Sequence, residues 1–234
     1  MCASVARPRE CTTPVPLLVN GDRLSQAEFH RRYEAYPGDE KFELIGGVVY
    51  VASPVSSDHG EYNEELGFLC GLYRRATPGT QLLYNATTVL GKKSEPQPDC
   101  SLRVLQEYGG QSAVDERKII VGSPELGAEI AYSSRAIDLH HKKADYRRAG
   151  MREYLVVAIE EPKLYWFNFA DGGEISADAQ GVFRSRVFPG LWIDGPALLA
   201  LDSARLRAVL EQGLASAEHA AFVQRLNEAQ VARK

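Results

Sequence analysis

The sequence predicts a protein of the α/β (α+β) class: one mixed β-sheet with helices packed against it. Two observations carry this. Apolar residues recur at helical spacing in separated stretches, and between those stretches lie short runs rich in β-branched and aromatic residues. The order reads helix, strands, helix, strands, helix, strands, and layering helices on one sheet buries both kinds of apolar face most economically.

Taken in order, residues 1–16 hold three prolines and little periodicity and are predicted to be a flexible lead-in. "LSQAEFHRRYEAY" sets Leu24, Phe29 and Tyr33 on one face of a short helix. "KFELIGGVVYVAS" joins two apolar runs through Gly46-Gly47, a hairpin signal. "HGEYNEELGFLCGLYRRA" spaces Tyr62, Leu66, Leu69 and Tyr73 as an amphipathic helix. "TQLLYNATTVL" and "PQPDCSLRVL" read as strands, with Pro98 holding Gln97 extended. Residues 106–124 read as a loop. "ELGAEIAYSS" is a short strand whose Ser133 or Ser134 is placed to cap the helix "RAIDLHHKKADYRRAG", and Gly150 stops that helix. "REYLVVAIE" and "KLYWFNFA" are predicted to pair antiparallel, and "GVFRSRVFPGLWIDGPALLAL" closes a body spanning 17–202. Leu206, Val209, Leu210 and Leu214 mark a C-terminal helical extension over 203–234, whose apolar stripe suggests a homodimer contact.

Composition narrows the function classes. At 44% hydrophobic and 25% charged the chain is an ordinary globular protein, and no apolar run reaches the ~18 residues that span a bilayer. No membrane partner is expected. The first residues lack an apolar signal core, and the four cysteines form neither a CxxC pair nor a set with histidine; both features predict a cytoplasmic setting. The glycines match no nucleotide-binding pattern, and neither GxSxG nor HExxH is present. A net charge of -4 gives no bulk attraction to nucleic acid, although residues 135–152 concentrate lysine and arginine.

Two carboxylates stand out inside strand-like runs: Asp99 in "PQPDCSLRV" and Glu129 in "ELGAEIAYSS". Carboxylates are rarely buried without a partner or a metal. If the two strands pair, both acids converge, and two hard oxygen ligands with open positions suit Mg²⁺. On the next helix Asp138, Lys142 and Tyr146 recur at i, i+4 and i+8 and share one face, which fits either a surface ion pair or a cation aimed at the carboxylates.

Together, "FELIGGVVYVASPVSSDHG", "PQPDCSLRV", "ELGAEIAYSS", "IDLHHKKADYRRAGMREYLVV" and "FPGLWID" resemble the Uma-type putative restriction endonuclease family of the PD-(D/E)xK nuclease superfamily. The resemblance runs from about residue 22 to about residue 202. It implies a restriction-endonuclease-like fold with a four-stranded core sheet and added β-hairpins, and a Mg²⁺- or Mn²⁺-dependent site acting on DNA. It further implies that Asp99 and Glu129 are catalytic metal ligands, Glu43 completes the ligand set, and His59 opens the following helix. The second half-motif departs from the superfamily pattern, reading Glu129-Ile130-Ala131 where a lysine is expected. In the branch it resembles, the lysine comes from the next helix in a D-x3-K-x3-Y arrangement, which Asp138, Lys142 and Tyr146 match; Asp138 and Tyr146 would support the site. Lys143, Arg147 and Arg148 on that helix are the candidates for contact with the DNA backbone. The alternative is a catalytically inactive nuclease fold serving as a DNA-binding or assembly module.

Overall fold

The computed structural model describes residues 15–233, so nearly all of the expected lead-in lies outside the described residues. Helix α1 (Gln26–Glu34) opens the fold, its N-terminus capped by the Ser25 hydroxyl, which accepts from the Glu28 N–H. The hairpin of β1 (Phe42–Ile45) and β2 (Val48–Val51) follows as expected. Its turn residues Gly46 and Gly47 have φ of +60° and +85°, the left-handed geometry a two-residue turn demands. Helix α2 (Ser57–Ala76) is capped by Ser56 and leads to β3 (Thr80–Tyr84), β4 (Thr88–Val89) and β5 (Cys100–Val104). The expected single strand over 80–90 is broken at Asn85, which takes a left-handed φ of +48°.

Residues 106–124 are not the structureless loop expected. They carry β6 (Ala113–Val114) and β7 (Ile120–Val121), which join β4 in a small three-stranded sheet. Two-residue strands hold too few positions for an alternating pattern to be visible in sequence. Next come β8 (Leu126–Ala131), a π-helical turn at Ile137–Lys142 and helix α3 (Lys143–Arg148). No serine side chain caps this helix. The Ser134 carbonyl instead accepts from the Ile137 and Asp138 N–H groups. Strands β9 (Glu153–Ala158) and β10 (Lys163–Asn168) pair antiparallel as expected. The chain then forms β11 (Gly173–Glu174), β12 (Val182–Arg184), β13 (Trp192–Asp194) and α4 (Gly195–Leu199), and ends in α5 (Ser203–Leu214) and α6 (Ala217–Val231). The expected single C-terminal helix is broken because the Ser216 hydroxyl caps a new start, accepting from the His219 N–H.

The main sheet runs β11-β10-β9-β8-β5-β3. β8 and β9 are parallel and every other neighbouring pair is antiparallel, so the sheet is mixed and the helical passage from β8 to β9 is its one parallel crossover. One face packs against α2, α4, α5 and α6, where Leu69, Tyr73, Leu102, Leu155 and Trp166 lie at the centre. Leu206, Leu210, Phe222 and Leu226 join this core, so the apolar stripe that suggested a dimer contact is buried within the chain itself. The other face holds a smaller cluster of Tyr146, Met151, Tyr154, Val156 and Phe167 under the π turn and α3. Gly127 makes that packing possible, because a Cβ there would lie 2.7 Å from Met151 Cε. Among the described residues no helix is long and apolar enough to cross a membrane.

Candidate active site

The site forms where β5 and β8 meet. Cys100 pairs with Ala128, which carries Asp99 to the end of β5 beside Glu129 on β8. Asp99 Oδ2 accepts from the Ile130 N–H at 2.8 Å, tying the two strands at the acid itself. The same oxygen lies 3.1 Å from His59 Nε2, on the first turn of α2. The Asp99 carboxylate holds the His59 imidazole above its ordinary pKa, more than burial lowers it.

Glu43 enters from the hairpin. Its Oε1 accepts from the Gln97 N–H at 2.7 Å. The hairpin is itself fastened to the helix after β8, because the Gly46 N–H donates to Asp145 Oδ2 at 3.1 Å and to Ser94 Oγ at 3.2 Å. From that helix Lys142 projects into the acids. Its Nζ stands 2.9 Å from Glu43 Oε2, 3.1 Å from Glu129 Oε1 and 3.7 Å from Asp138 Oδ1. Tyr146, one turn further on, donates its hydroxyl to Glu129 Oε1 at 2.7 Å. The helix-borne lysine therefore reaches both Glu43 and Glu129.

The electrostatics follow from crowding. Burial by itself would lower the Lys142 pKa, but Glu129, Glu43 and Asp138 outweigh it and hold the ammonium well above the ordinary lysine range. One cation cannot balance so many acids. Burial pushes Glu129 well above the usual carboxylate range despite Lys142, and pushes Asp138 up to about 6. Asp138 Oδ2 accepts from Ser134 Oγ at 2.5 Å, while its Oδ1 is buried with no hydrogen-bond partner among the described residues.

These groups line a cavity of about 220 Å³, closed on one side by the hairpin and on the other by the start of the β8–β9 crossover. The donor chemistry fits a hard divalent cation: Asp99 Oδ1 and Glu129 Oε2 carry no hydrogen bond among the described residues, and both side chains face the cavity. Both Glu43 oxygens, by contrast, are already engaged, by Gln97 and Lys142. No three His, Cys, Asp or Glu side chains among the described residues are arranged to hold an ion together. The fit is that of two carboxylates with open positions and no closed cage.

The structure brings Asp99, Glu129, Glu43, Lys142, Asp138, Tyr146 and His59 to one place. It does not bring Lys143, Arg147 or Arg148 there. The Lys143 ammonium sits 3.5 Å over the Phe167 ring on the sheet side, Arg148 pairs with Asp145 at 2.7 Å, and Arg147 lies against Gly172. Sequence reasoning also passed over residues that act through the backbone or a hydroxyl. Gln97 fixes Glu43, Ser134 binds Asp138, and Asn85 lines the cavity while its N–H donates to the Pro98 carbonyl at 3.0 Å. Ser134 alone left a readable signal, four residues before Asp138 at the head of a helix.

A mixed sheet whose central strands present acids beside a lysine from the adjoining crossover defines a restriction-endonuclease-like protein. The family model described as "Uma2: Putative restriction endonuclease" matches residues 27–200, and the chain belongs to that family. Among solved structures it is similar to a putative nuclease belonging to DUF820 from Anabaena variabilis ATCC 29413, with a TM-score of 0.55 and 12% identity over 73% of this chain and 96% of that one. At that identity the likeness shows the fold alone. No curated protein sequence matches the chain.

Proposed function

We propose that this protein is a divalent-cation-dependent endonuclease that hydrolyses phosphodiester bonds in DNA. One observation carries the reading: Asp99 and Glu129 present uncommitted carboxylate oxygens to a cavity that also holds the Lys142 ammonium. Asp99 and Glu129 would hold Mg²⁺ or Mn²⁺. When bound, such an ion supplies Lewis-acid polarisation of a phosphoryl oxygen and lowers the pKa of a coordinated water.

The chain's own groups have separable tasks. An ammonium has three N–H donors, and Glu43 and Glu129 take two of those on Lys142. The third is left to orient the attacking water or to stabilise charge developing on the phosphoryl oxygens. Glu43 is a positioning residue, clamped by Gln97 so that it aims Lys142. Tyr146 and Ile130 hold the two ligating carboxylates in place through one hydrogen bond each. His59 grips Asp99 Oδ2, the oxygen that also accepts from Ile130, and so leaves Oδ1 uncommitted. Lys41 is the remaining lysine in the cavity lining, so backbone contacts by Lys143, Arg147 or Arg148 would fall outside the cavity.

The test is incubation of supercoiled and linear DNA with the protein and Mg²⁺ or Mn²⁺, beside Asp99→Ala. Metal-dependent nicking or linearisation that vanishes in the variant is expected. Equal behaviour of the two proteins, or no cutting with either metal, overturns the reading and leaves a non-catalytic DNA-binding or assembly module. The missing ExK lysine and the outward-turned basic side chains are the observations on that side.

A further inference from the structure

We infer that the outer stripe of α2 is a two-fold interface through which this chain pairs with a second copy of itself. Helix α2 buries Leu66, Leu69, Cys70 and Tyr73 against the sheet. Its opposite side is not polar throughout: Phe68 stands 38% exposed at its middle, and Tyr84 on the neighbouring β3 is 47% exposed. Between helix and strand runs a groove of about 550 Å³, floored by Gly67 and Gly71. β3 is the last strand of the main sheet, so its outer edge is unpaired among the described residues. An exposed edge beside exposed aromatics is a surface that proteins ordinarily cover or guard.

The charges on the stripe identify the occupant. Glu61 and Glu64 are exposed near its start, and Arg74 and Arg75 are exposed at its end. None of the four is in an ion pair among the described residues. Elsewhere in this chain surface helices pair their charges locally, Arg31 with Glu28 on α1 and Arg207 with Glu211 on α5. On α2 that route is closed, because at 1.5 Å per residue the acidic and basic groups lie roughly 15–20 Å apart along the axis. An antiparallel copy of the same helix closes the gap. Glu61 and Arg75 each stand seven residues from Phe68. A two-fold axis at Phe68 therefore sets Glu61 of one copy beside Arg75 of the other, twice over, with Phe68 packing on its own image. Such self-complementarity is the signature of an isologous contact. Gly71 keeps the stripe low, so the two helices can approach closely. A partner of different chemistry would have no reason to match both ends about one centre.

The interface is independent of the proposed chemistry, and its test reads mass. Sedimentation velocity of the full-length protein over a range of concentrations is expected to show a reversible dimer. Phe68→Asp, an exposed position, and Gly71→Gln, where an added Cβ meets only ordinary contacts at 3.5 and 3.8 Å, should each give a folded monomer by sedimentation and circular dichroism. Glu61→Arg alone should weaken the dimer roughly tenfold, and adding Arg75→Glu should restore it. A monomer at every concentration overturns the inference. So does a dimer indifferent to Phe68→Asp and Gly71→Gln, or a double charge reversal that fails to restore the affinity lost by the single one.

Discussion

Two glutamates on neighbouring parallel strands of this sheet, Glu129 on β8 and Glu153 on β9, are both almost fully buried yet have opposite surroundings. Glu153 accepts from Trp166 Nε1, Ser185 Oγ and the N–H groups of Arg186 and Val187, all neutral donors at 2.7–3.1 Å. Burial raises its pKa, and those four hydrogen bonds pull it back towards the usual range. Glu129 has the Tyr146 hydroxyl and the Lys142 ammonium on one oxygen and, among the described residues, nothing on the other. Burial does not separate a structural carboxylate from one proposed to hold a metal. What separates them is whether the lone pairs are filled, and Glu129 is held in place with one oxygen left free.

The comparison is sharpest in substitutions of the two acids. Glu153→Ala strands four donors in the core and should cost about 3–5 kcal/mol of stability, read by chemical denaturation. Glu129→Gln keeps the shape of its site and should change stability by less than ~1 kcal/mol while cleavage falls about 10²–10³-fold. If instead Glu129→Gln unfolds the protein, its carboxylate is structural and the contrast fails. Lys142→Met removes the one cation among Glu43, Glu129 and Asp138 and should destabilise by about 3–5 kcal/mol at neutral pH. Much of that loss should return on acidification, because the orphaned carboxylates can then be neutral; a loss that is flat with pH would mean Lys142 acts only by packing.

A smaller effect is expected from Tyr146→Phe, which deletes one hydroxyl donor to Glu129 and should cost about 1–2 kcal/mol, visible as a lowered Tm. The smallest concerns His59, whose pKa Asp99 raises. A group with a raised folded pKa gives stability that is fully present below its unfolded pKa and is lost as pH climbs through the folded value. His59→Asn should therefore lower Tm in mildly acidic buffer, by about 1 kcal/mol in stability, and converge with the parent protein as the solution becomes alkaline. Equal losses at all pH values would show that the Asp99 contact contributes nothing as an ion pair.

The legible parts of the fold were those with a long pattern: the Gly46-Gly47 hairpin, the amphipathic α2, and the antiparallel β9–β10 pair. Where a pattern needs more residues than the element has, as in β6 and β7, periodicity carried nothing. Glu153 leaves no signal in the sequence, because three of its four donors lie more than thirty residues away at Ser185 to Val187 and the fourth, Trp166, comes from the neighbouring strand. At the candidate site the i, i+4, i+8 spacing put Lys142 and Tyr146 on one face. It could not show that Lys143 would turn back onto Phe167, nor that a backbone amide at Gln97 would hold Glu43, since neither contact is encoded by spacing.

The π turn at Ile137–Lys142 has a mechanical consequence. At its first residues the turn is pinned by Ser134 on Asp138 and by the Tyr154 hydroxyl on the Asp138 carbonyl; beyond it, the chain is held by Tyr146 on Glu129 and by Asp145 on Gly46. The widened turn lies between the two anchorages and so sets their relative rotation, as a spacer sets the angle between two bolted flanges. Removing one residue inside it, His140 for example, would leave every side chain chemically intact while swinging α3 by about 100°. Lys142, Tyr146 and the hairpin clasp would then lose alignment together, so this stretch should tolerate substitution at its exposed His140 but no change of length.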